Sequence, residues 1–272
     1  MEDAAAEKQQ QQQPAVTLYL IRHGETEVNR RNCVQGRRID PPLNERGRRQ
    51  AECVGERFRR LRVDWIVTSA AKRAIETGKA VGKHHPDAPF DSFSELNELE
   101  FGDFEGTHVT AGYNDLVVRW DDELCTDLPA PGKSGESPAM CVLRAMPRLH
   151  AIAKQAAAEQ RREVCVVVHS RLIQILLSEI LDGSLVAMRK YKQKKAAVNA
   201  VDLYADVDTS FGSGAAPWPF RCVAREINST THMPDDVVSR VSSATSLQRR
   251  NRQDERVRFE VCADGSLELR HL

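Results

Sequence analysis

No stretch of this chain is apolar for long enough to span a bilayer, no two cysteines stand in a Cys-x-x-Cys arrangement, and neither sign of charge is in excess. The first absence removes a membrane span, which needs about 20 consecutive apolar residues. The second removes the common thiolate zinc sites and redox pairs, and the 7 scattered cysteines fit a reducing compartment. The third removes any overall field for nucleic acid or an anionic membrane, since Lys plus Arg and Asp plus Glu both count 39. Attraction for an anion must then be local. The chain also starts with Glu2, Asp3 and a glutamine run where a secretory leader would place basic and then apolar residues. We therefore expect a soluble, cytoplasmic protein with no nucleic-acid or membrane partner.

What is present suffices for one sizeable domain, because 272 residues of which 41% are hydrophobic can fill a core. Residues 1–15 are polar and Gln-rich, and we expect a disordered tail. From Val16, β-branched runs alternate with helical patterns: Val16 to Ile21, Asn44 to Leu61, Trp65 to Val67, Ala70 to Val81. Ser137 followed by Pro138 starts a further helix with Met140, Leu143 and Leu149 as its apolar stripe and Pro147 as a kink. Val164 to Val168 reads as a strand covered on both faces, and Leu172 to Leu181 as the helix after it. This rhythm predicts an α/β three-layer sandwich over 16–234, a mostly parallel central sheet flanked by helices. Between about 103 and 136 periodicity fails, and we expect a lid insert. Residues 235–272 form a C-terminal extension whose alternation around Asp264-Gly265 predicts a β-hairpin at 257–270.

Three strand patterns end on residues suited to phosphate. Ile21 runs into Arg22-His23, Val168 into His169, and Val67 into Thr68-Ser69 and then Arg73. The carboxyl ends of parallel strands form the ligand edge of open α/β sheets. A phosphoryl group spreads charge over several oxygens and calls for guanidinium forks, imidazole and backbone N–H groups. Transfer to an imidazole splits hydrolysis into two easier displacements. The attacking nitrogen must be unprotonated, with its partner nitrogen donating to a group such as a backbone carbonyl.

Leu20-Ile21-Arg22-His23-Gly24-Glu25-Thr26 with Asn29 resembles the signature of the histidine phosphatase superfamily, which includes the phosphoglycerate mutases. The likeness continues in order through Gln35-Gly36 with Asp40, Leu43 and Gly47, Ser69 with Arg73 and Thr77, and Leu96-x-Glu98-x-x-x-Gly102 with Glu105-Gly106. Gly135-Glu136-Ser137 with Arg144, Val168-His169, and Asn228 with Thr231-His232 complete it. Several blocks in series are far more specific than one short motif. The resemblance implies a phosphoglycerate mutase-like fold, no metal and no cofactor. It implies His23 as nucleophile, Arg22, Arg73 and His169 as ligands of the phosphoryl oxygens, and Asn29 with the Gln35-Gly36 backbone completing the cradle. Glu98 would be the proton donor, with its pKa raised beside a phosphate dianion. Ser170 stands where the family commonly has glycine; its N–H remains a substrate contact, and Arg171 beside it offers a further cation.

Glu95, Glu100, Glu105 and Glu136 rival Glu98 as the acid. Arg30, Arg31, Arg37 and Arg38 read as an anion-steering cluster or as solvated charge, and Lys190 to Lys195 reads in the same two ways. The resemblance implies a metal-independent phosphomonoesterase acting through phosphohistidine on a small anionic phosphorylated metabolite, a sugar bisphosphate such as fructose 2,6-bisphosphate being one candidate. A mutase is the alternative, but it calls for extra cations in the insert. That segment holds only Arg119 and Lys133 against Asp115, Asp121, Asp122, Glu123 and Asp127. A catalytically weak signalling or scaffold member is the second alternative. The oligomeric state is not set by the sequence.

Overall fold

In the computed structural model, residues 13–205 and 220–238 are described, together with the backbone of 257–261 and 267–271. The glutamine-rich start up to residue 12, the Asp264-Gly265 turn and most of the Ser- and Arg-rich stretch before it lie outside the described residues.

The centre is a six-stranded sheet in the order β3-β2-β4-β1-β5-β6. Here β1 is Val16–Arg22, β2 Trp65–Ser69, β3 Phe90–Phe93 and β4 Glu163–Val168. These four run parallel. β5 (Val198–Ala205) joins antiparallel to β1, and β6 (Phe220–Ser229) antiparallel to β5. The sheet is therefore mixed, with its parallel part at the centre. Val257–Val261 (β7) and Leu267–His271 (β8) pair antiparallel as a separate two-stranded ribbon.

Helices cover both faces, which is why β1 and β4 read as unbroken apolar runs. Leu18, Leu20, Val166 and Val168 share one core with Leu149, Ile152, Leu172 and Leu176. Tyr19, Ile21, Cys165 and Val167 belong to the opposite core with Val54, Phe58 and Val81. The first layer is supplied by α5 (Pro138–Ala158) and α6 (Ser170–Leu177), the second by α2 (Glu45–Phe58) and α3 (Lys72–Gly82). The short α1 (Glu27–Arg30) follows β1, and α4 (Ala111–Asp121) lies in the insert.

Two readings of the sequence are corrected. Met140 and Leu143 are 47% and 42% exposed and do not face the core of α5. The buried stripe is instead Pro138, Cys141, Val142, Ala145, Leu149, Ile152, Ala153 and Ala156, a continuous i, i+3, i+4 series built largely of small residues. Weighting by side-chain size selected the wrong face. Strands β5 and β6 also escaped the apolar pattern. In β5 the run is broken by Asn199 and Asp202, which are buried because they have partners: Asn199 Nδ2 donates to Leu20 O at 2.9 Å, and Asp202 accepts from Thr17 Oγ1 at 2.8 Å. α5 continues through Pro147 as one 21-residue element.

Candidate active site

β1, β2 and β4 end side by side, with Arg22 in register with Val168 and Thr68 with Val167. His23 follows β1, His169 follows β4, and Ser69 closes β2, so three distant segments meet at one sheet edge. His23 N donates to Val168 O at 3.0 Å, which ties the two histidine-bearing ends together. The chain then turns sharply at Gly24. A Cβ there would stand 2.5 Å from Gly47 O, and one on Gly47 would stand 2.0 Å from Glu25 O, so only two glycines allow this approach. Gly24 N donates to Thr77 Oγ1 at 3.1 Å and fixes the turn from the α3 side.

His23 is buried, and its Nδ1 lies 2.6 Å from Gly24 O. A carbonyl only accepts, so Nδ1 carries the proton and Nε2 keeps its lone pair. Burial, then Arg73 and Arg22, hold this imidazole well below its ordinary pKa, so it stays neutral in moderate acid. The His169 ring stands 5.1 Å away, centroid to centroid. Its Nε2 meets Ser69 Oγ at 2.6 Å, and Ser69 Oγ donates onward to Asn97 Oδ1 at 3.1 Å. The buried Nδ1 of His169 has no partner among the described residues. Burial, Arg73 and His23 lower the His169 pKa as well.

Two guanidinium groups flank the imidazoles. Arg73, second residue of α3, is 1% exposed and donates to Gly36 O (3.0 Å) and Ile39 O (3.2 Å). With its carboxamide oxygen turned toward Arg73, Gln35 accepts from Nε and Nη1 at 3.1 Å. Burial pushes Arg73 down to about 10, still fully charged at neutral pH. Arg22 Nη1 donates to Gln193 O at 2.6 Å while its buried Nε has no protein partner. Asn29 completes the N-terminal cap of α1 with Thr26, and the Gln35 side chain lies against both. Gly36 leaves room for the Glu105 carboxylate, whose Oε1 would sit 2.1 Å from a Cβ there.

Of the five candidate acids, Glu98 alone reaches the helix that follows His169. It accepts from Leu99 N and Leu172 N at 3.0 Å and from Arg171 N at 3.1 Å. The rivals are engaged elsewhere. Glu136 is forked by Arg144 at 2.8 Å through both oxygens, Glu95 pairs with Arg148, Glu100 faces Arg37 and Arg38, and Glu105 accepts from Phe101 N and Arg38 N. Arg144 also donates to Glu95 O and Asn97 O, bracing the loop that carries Glu98.

One expectation about charge is corrected here. Arg171 does not offer its guanidinium to a ligand: it is buried, 2.6 Å from Asp121 of α4 and stacked over Trp120. The arginine cluster is partly paired, Arg30 and Arg31 sharing Glu27 and Arg37 and Arg38 sharing Glu100, which fits the solvated-charge reading of that cluster. Ser170, the first residue of α6, is partly exposed.

The structure adds Tyr113 and Gln193, which the sequence did not single out, and gives a place to Lys195, which the sequence left ambiguous within the Lys190 to Lys195 run. Tyr113 of α4 packs on Phe101 and Phe104 with ring centroids 5.6 and 5.8 Å apart. Its phenol lies in the fields of Arg171, Glu98 and Arg22, and burial raises its pKa. Gln193 anchors Arg22, and Lys195 stands close enough to lower the His23 pKa. None of the three belongs to a motif, so only contact reveals them.

Residues 18–210 match the histidine phosphatase superfamily, branch 1. The glucosyl-3-phosphoglycerate phosphatase of Mycolicibacterium vanbaalenii is 32% identical over 171 residues, 60% of this chain and 73% of that one. A 2,3-bisphosphoglycerate-dependent phosphoglycerate mutase of a Methylobacterium species is 32% identical over 177 residues, 61% of this chain and 80% of the other. Among solved structures, a phosphoglycerate mutase from Bacillus anthracis superposes with a TM-score of 0.59 at 27% identity, covering 68% of this chain and 87% of that chain.

Proposed function

The chain belongs to the histidine phosphatase superfamily, among relatives named as phosphatases, and on that premise we propose that it is a cytoplasmic, metal-independent phosphomonoesterase working through phosphohistidine on a small metabolite. The observation that carries the reading is the His23 ring: Nδ1 is held by Gly24 O, so Nε2 is the nucleophilic nitrogen, with Arg22, Arg73 and His169 around it.

In the first step the Nε2 lone pair attacks phosphorus and the bond to the ester oxygen breaks. Glu98, protonated, gives its proton to that oxygen. In the second step a water attacks the phosphohistidine, Glu98 takes the water proton, and the phosphorus–nitrogen bond breaks. Arg22, Arg73 and His169 stabilise charge gathering on the equatorial oxygens, with donors placed before reaction begins. Arg22 Nε, a buried donor without a partner among the described residues, is left for those oxygens, and His169 Nδ1 can join it only when the ring carries a second proton, since Nε2 supplies the one proton to Ser69 Oγ.

Hydrolysis is favoured over mutase chemistry by the insert. Its acids Asp121 and Asp122 are tied to Arg171 and Arg189, and its two cations, Arg119 and Lys133, are exposed on the outside. Tyr113, whose phenol lies in the field of Glu98, packs on Phe101 and Phe104, and an aromatic ring next to the acid suits a compact leaving group. A sugar phosphate, fructose 2,6-bisphosphate included, fits this description.

Turnover of 4-nitrophenyl phosphate in chelator-treated buffer is the test. His23→Ala should lose on the order of 10⁴-fold in kcat, and the unaltered protein should yield an acid-labile, alkali-stable phosphoenzyme on rapid quench. A His23→Ala variant that turns over normally would overturn the proposal.

A further inference from the structure

The segment 192–197 is built onto the catalytic strand end. Arg22 N donates to Ala197 O at 3.0 Å, Ala196 N to His23 O at 3.3 Å, and Arg22 Nη1 to Gln193 O. A buried amide network holds it there: Gln193 and Asn199 exchange hydrogen bonds at 2.9 and 3.2 Å, and Asn228 Oδ1 accepts from Lys194 N at 2.7 Å. Lys195 is thus placed by the same frame as the nucleophile.

Its ammonium is oddly provided for. The side chain is 18% exposed, and its nearest counter-charge, Glu25 Oε2, is 3.9 Å away, beyond hydrogen-bonding distance. Glu25 Oε1 accepts from Asn44 Nδ2 at 3.0 Å. The stem is mostly covered while the three donors of the ammonium, with no close acceptor among the described residues, are left facing the groove. Burial, then Arg22, push its pKa down to about 8. Lys195 also lines a groove of about 1030 Å³ shared with Arg22, Asn29 and Gln193, whose wall carries five carboxylates, of which Glu27 is paired with Arg30 and Arg31 and Asp236 with Arg49. Arg46 closes the far side by donating to Val237 O and Val238 O.

We propose that Lys195 binds a second anionic group of the substrate, so that the enzyme takes phosphomonoesters carrying a further phosphate or carboxylate lodged in this groove. An anion beside Lys195 supplies the acceptor the ammonium lacks, on the side of Arg22 that the segment leading into β5 forms. The proposal rests on the phosphatase reading above and names the substrate class for that same site.

The test is binding of matched pairs to the full chain carrying His23→Ala, which separates affinity from turnover. 3-Phosphoglycerate against glycerol 3-phosphate differs by a carboxylate; glucose 1,6-bisphosphate against glucose 1-phosphate differs by a phosphate. In at least one pair the doubly anionic member should bind about tenfold tighter by calorimetry. Adding Lys195→Met should bring that ratio near one, and Lys195→Arg should restore most of it. Whichever pair shows the ratio identifies the group. Ratios near one in both pairs, or a ratio that survives Lys195→Met in a chain with unchanged circular dichroism, overturn the proposal. Failure of the 4-nitrophenyl phosphate assay would instead remove the phosphatase reading, so the two failures are distinct.

Discussion

The floor of the site and the insert above it are held by different means. The floor is backbone: His23 N on Val168 O, His23 Nδ1 on Gly24 O, Gly24 against Gly47, all within the buried sheet edge. The base of the insert shares that backbone anchorage, with Val34 N on Thr107 O and Val109 N on Asn32 O at 2.9 Å, but its helix α4 is held by side chains, chiefly Arg171 with Asp121 and Trp120 Nε1 on Leu128 O at 2.7 Å. Of the eleven residues of α4 only Leu116 and Trp120 are buried. The floor is therefore preorganised for charge stabilisation, while α4 can be loosened with less disturbance to it.

Substitutions can break this contrast. Glu98→Gln keeps the shape but removes the proton, and kcat on alkyl phosphates should fall by about 10²–10⁴-fold. 4-Nitrophenyl phosphate, whose leaving group needs no proton, should lose much less; equal losses would remove Glu98 from the role of acid. Arg73→Lys retains charge yet cannot fork between Gly36 O, Ile39 O and a phosphoryl oxygen, and should cost about 10²–10³-fold in kcat/KM. The insert should respond in stability instead. Asp121→Ala leaves Arg171 buried and unpaired, and should destabilise the fold by about 3 kcal/mol in denaturant melts, with kcat for the aryl phosphate changed less than its melting midpoint implies. A loss of kcat matching that of Arg73→Lys would erase the distinction.

The smallest expected effect is on pH. His23 and His169 have folded pKa values depressed by burial and by Arg73. The unfolded chain therefore binds their protons first, and their contribution to stability is fully present above about pH 6.5 and is lost as pH falls toward the folded values. Stability, followed through the melting temperature, should drop as pH falls from 6.5 toward 5, by at most about 1.4 kcal/mol per group per pH unit. His23→Ala should flatten that slope, and a slope left unchanged would show that His23 is not neutral in the folded state. By the same depression, kcat/KM should persist below pH 6.5, where an ordinary histidine would be protonated.

Much of the floor was legible in the chain. Short apolar runs ending in Arg22-His23, Ser69 and His169 announce parallel strands that share an edge, and the periodicity follows from the pleat. Glu98 could not be separated from Glu95, Glu100, Glu105 and Glu136 by sequence, because all five are carboxylates in irregular backbone. Only the contacts of Arg144 and of the α6 N-terminus sort them. The face of α5 was misread because small residues, not Met140 and Leu143, line it. β5 was missed because buried polar groups interrupt its pattern.

What the sequence determined by itself is the chemistry available: which side chains stand at strand ends, and that they suit a phosphoryl group. What the tertiary structure decided is where each charge is spent. Arg171 is consumed by Asp121 and the arginine cluster is partly paired by Glu27 and Glu100, whereas Lys195 keeps an ammonium without a close acceptor among the described residues. Pairing depends on distances between residues far apart in the chain, and composition, neutral overall, carries no record of them.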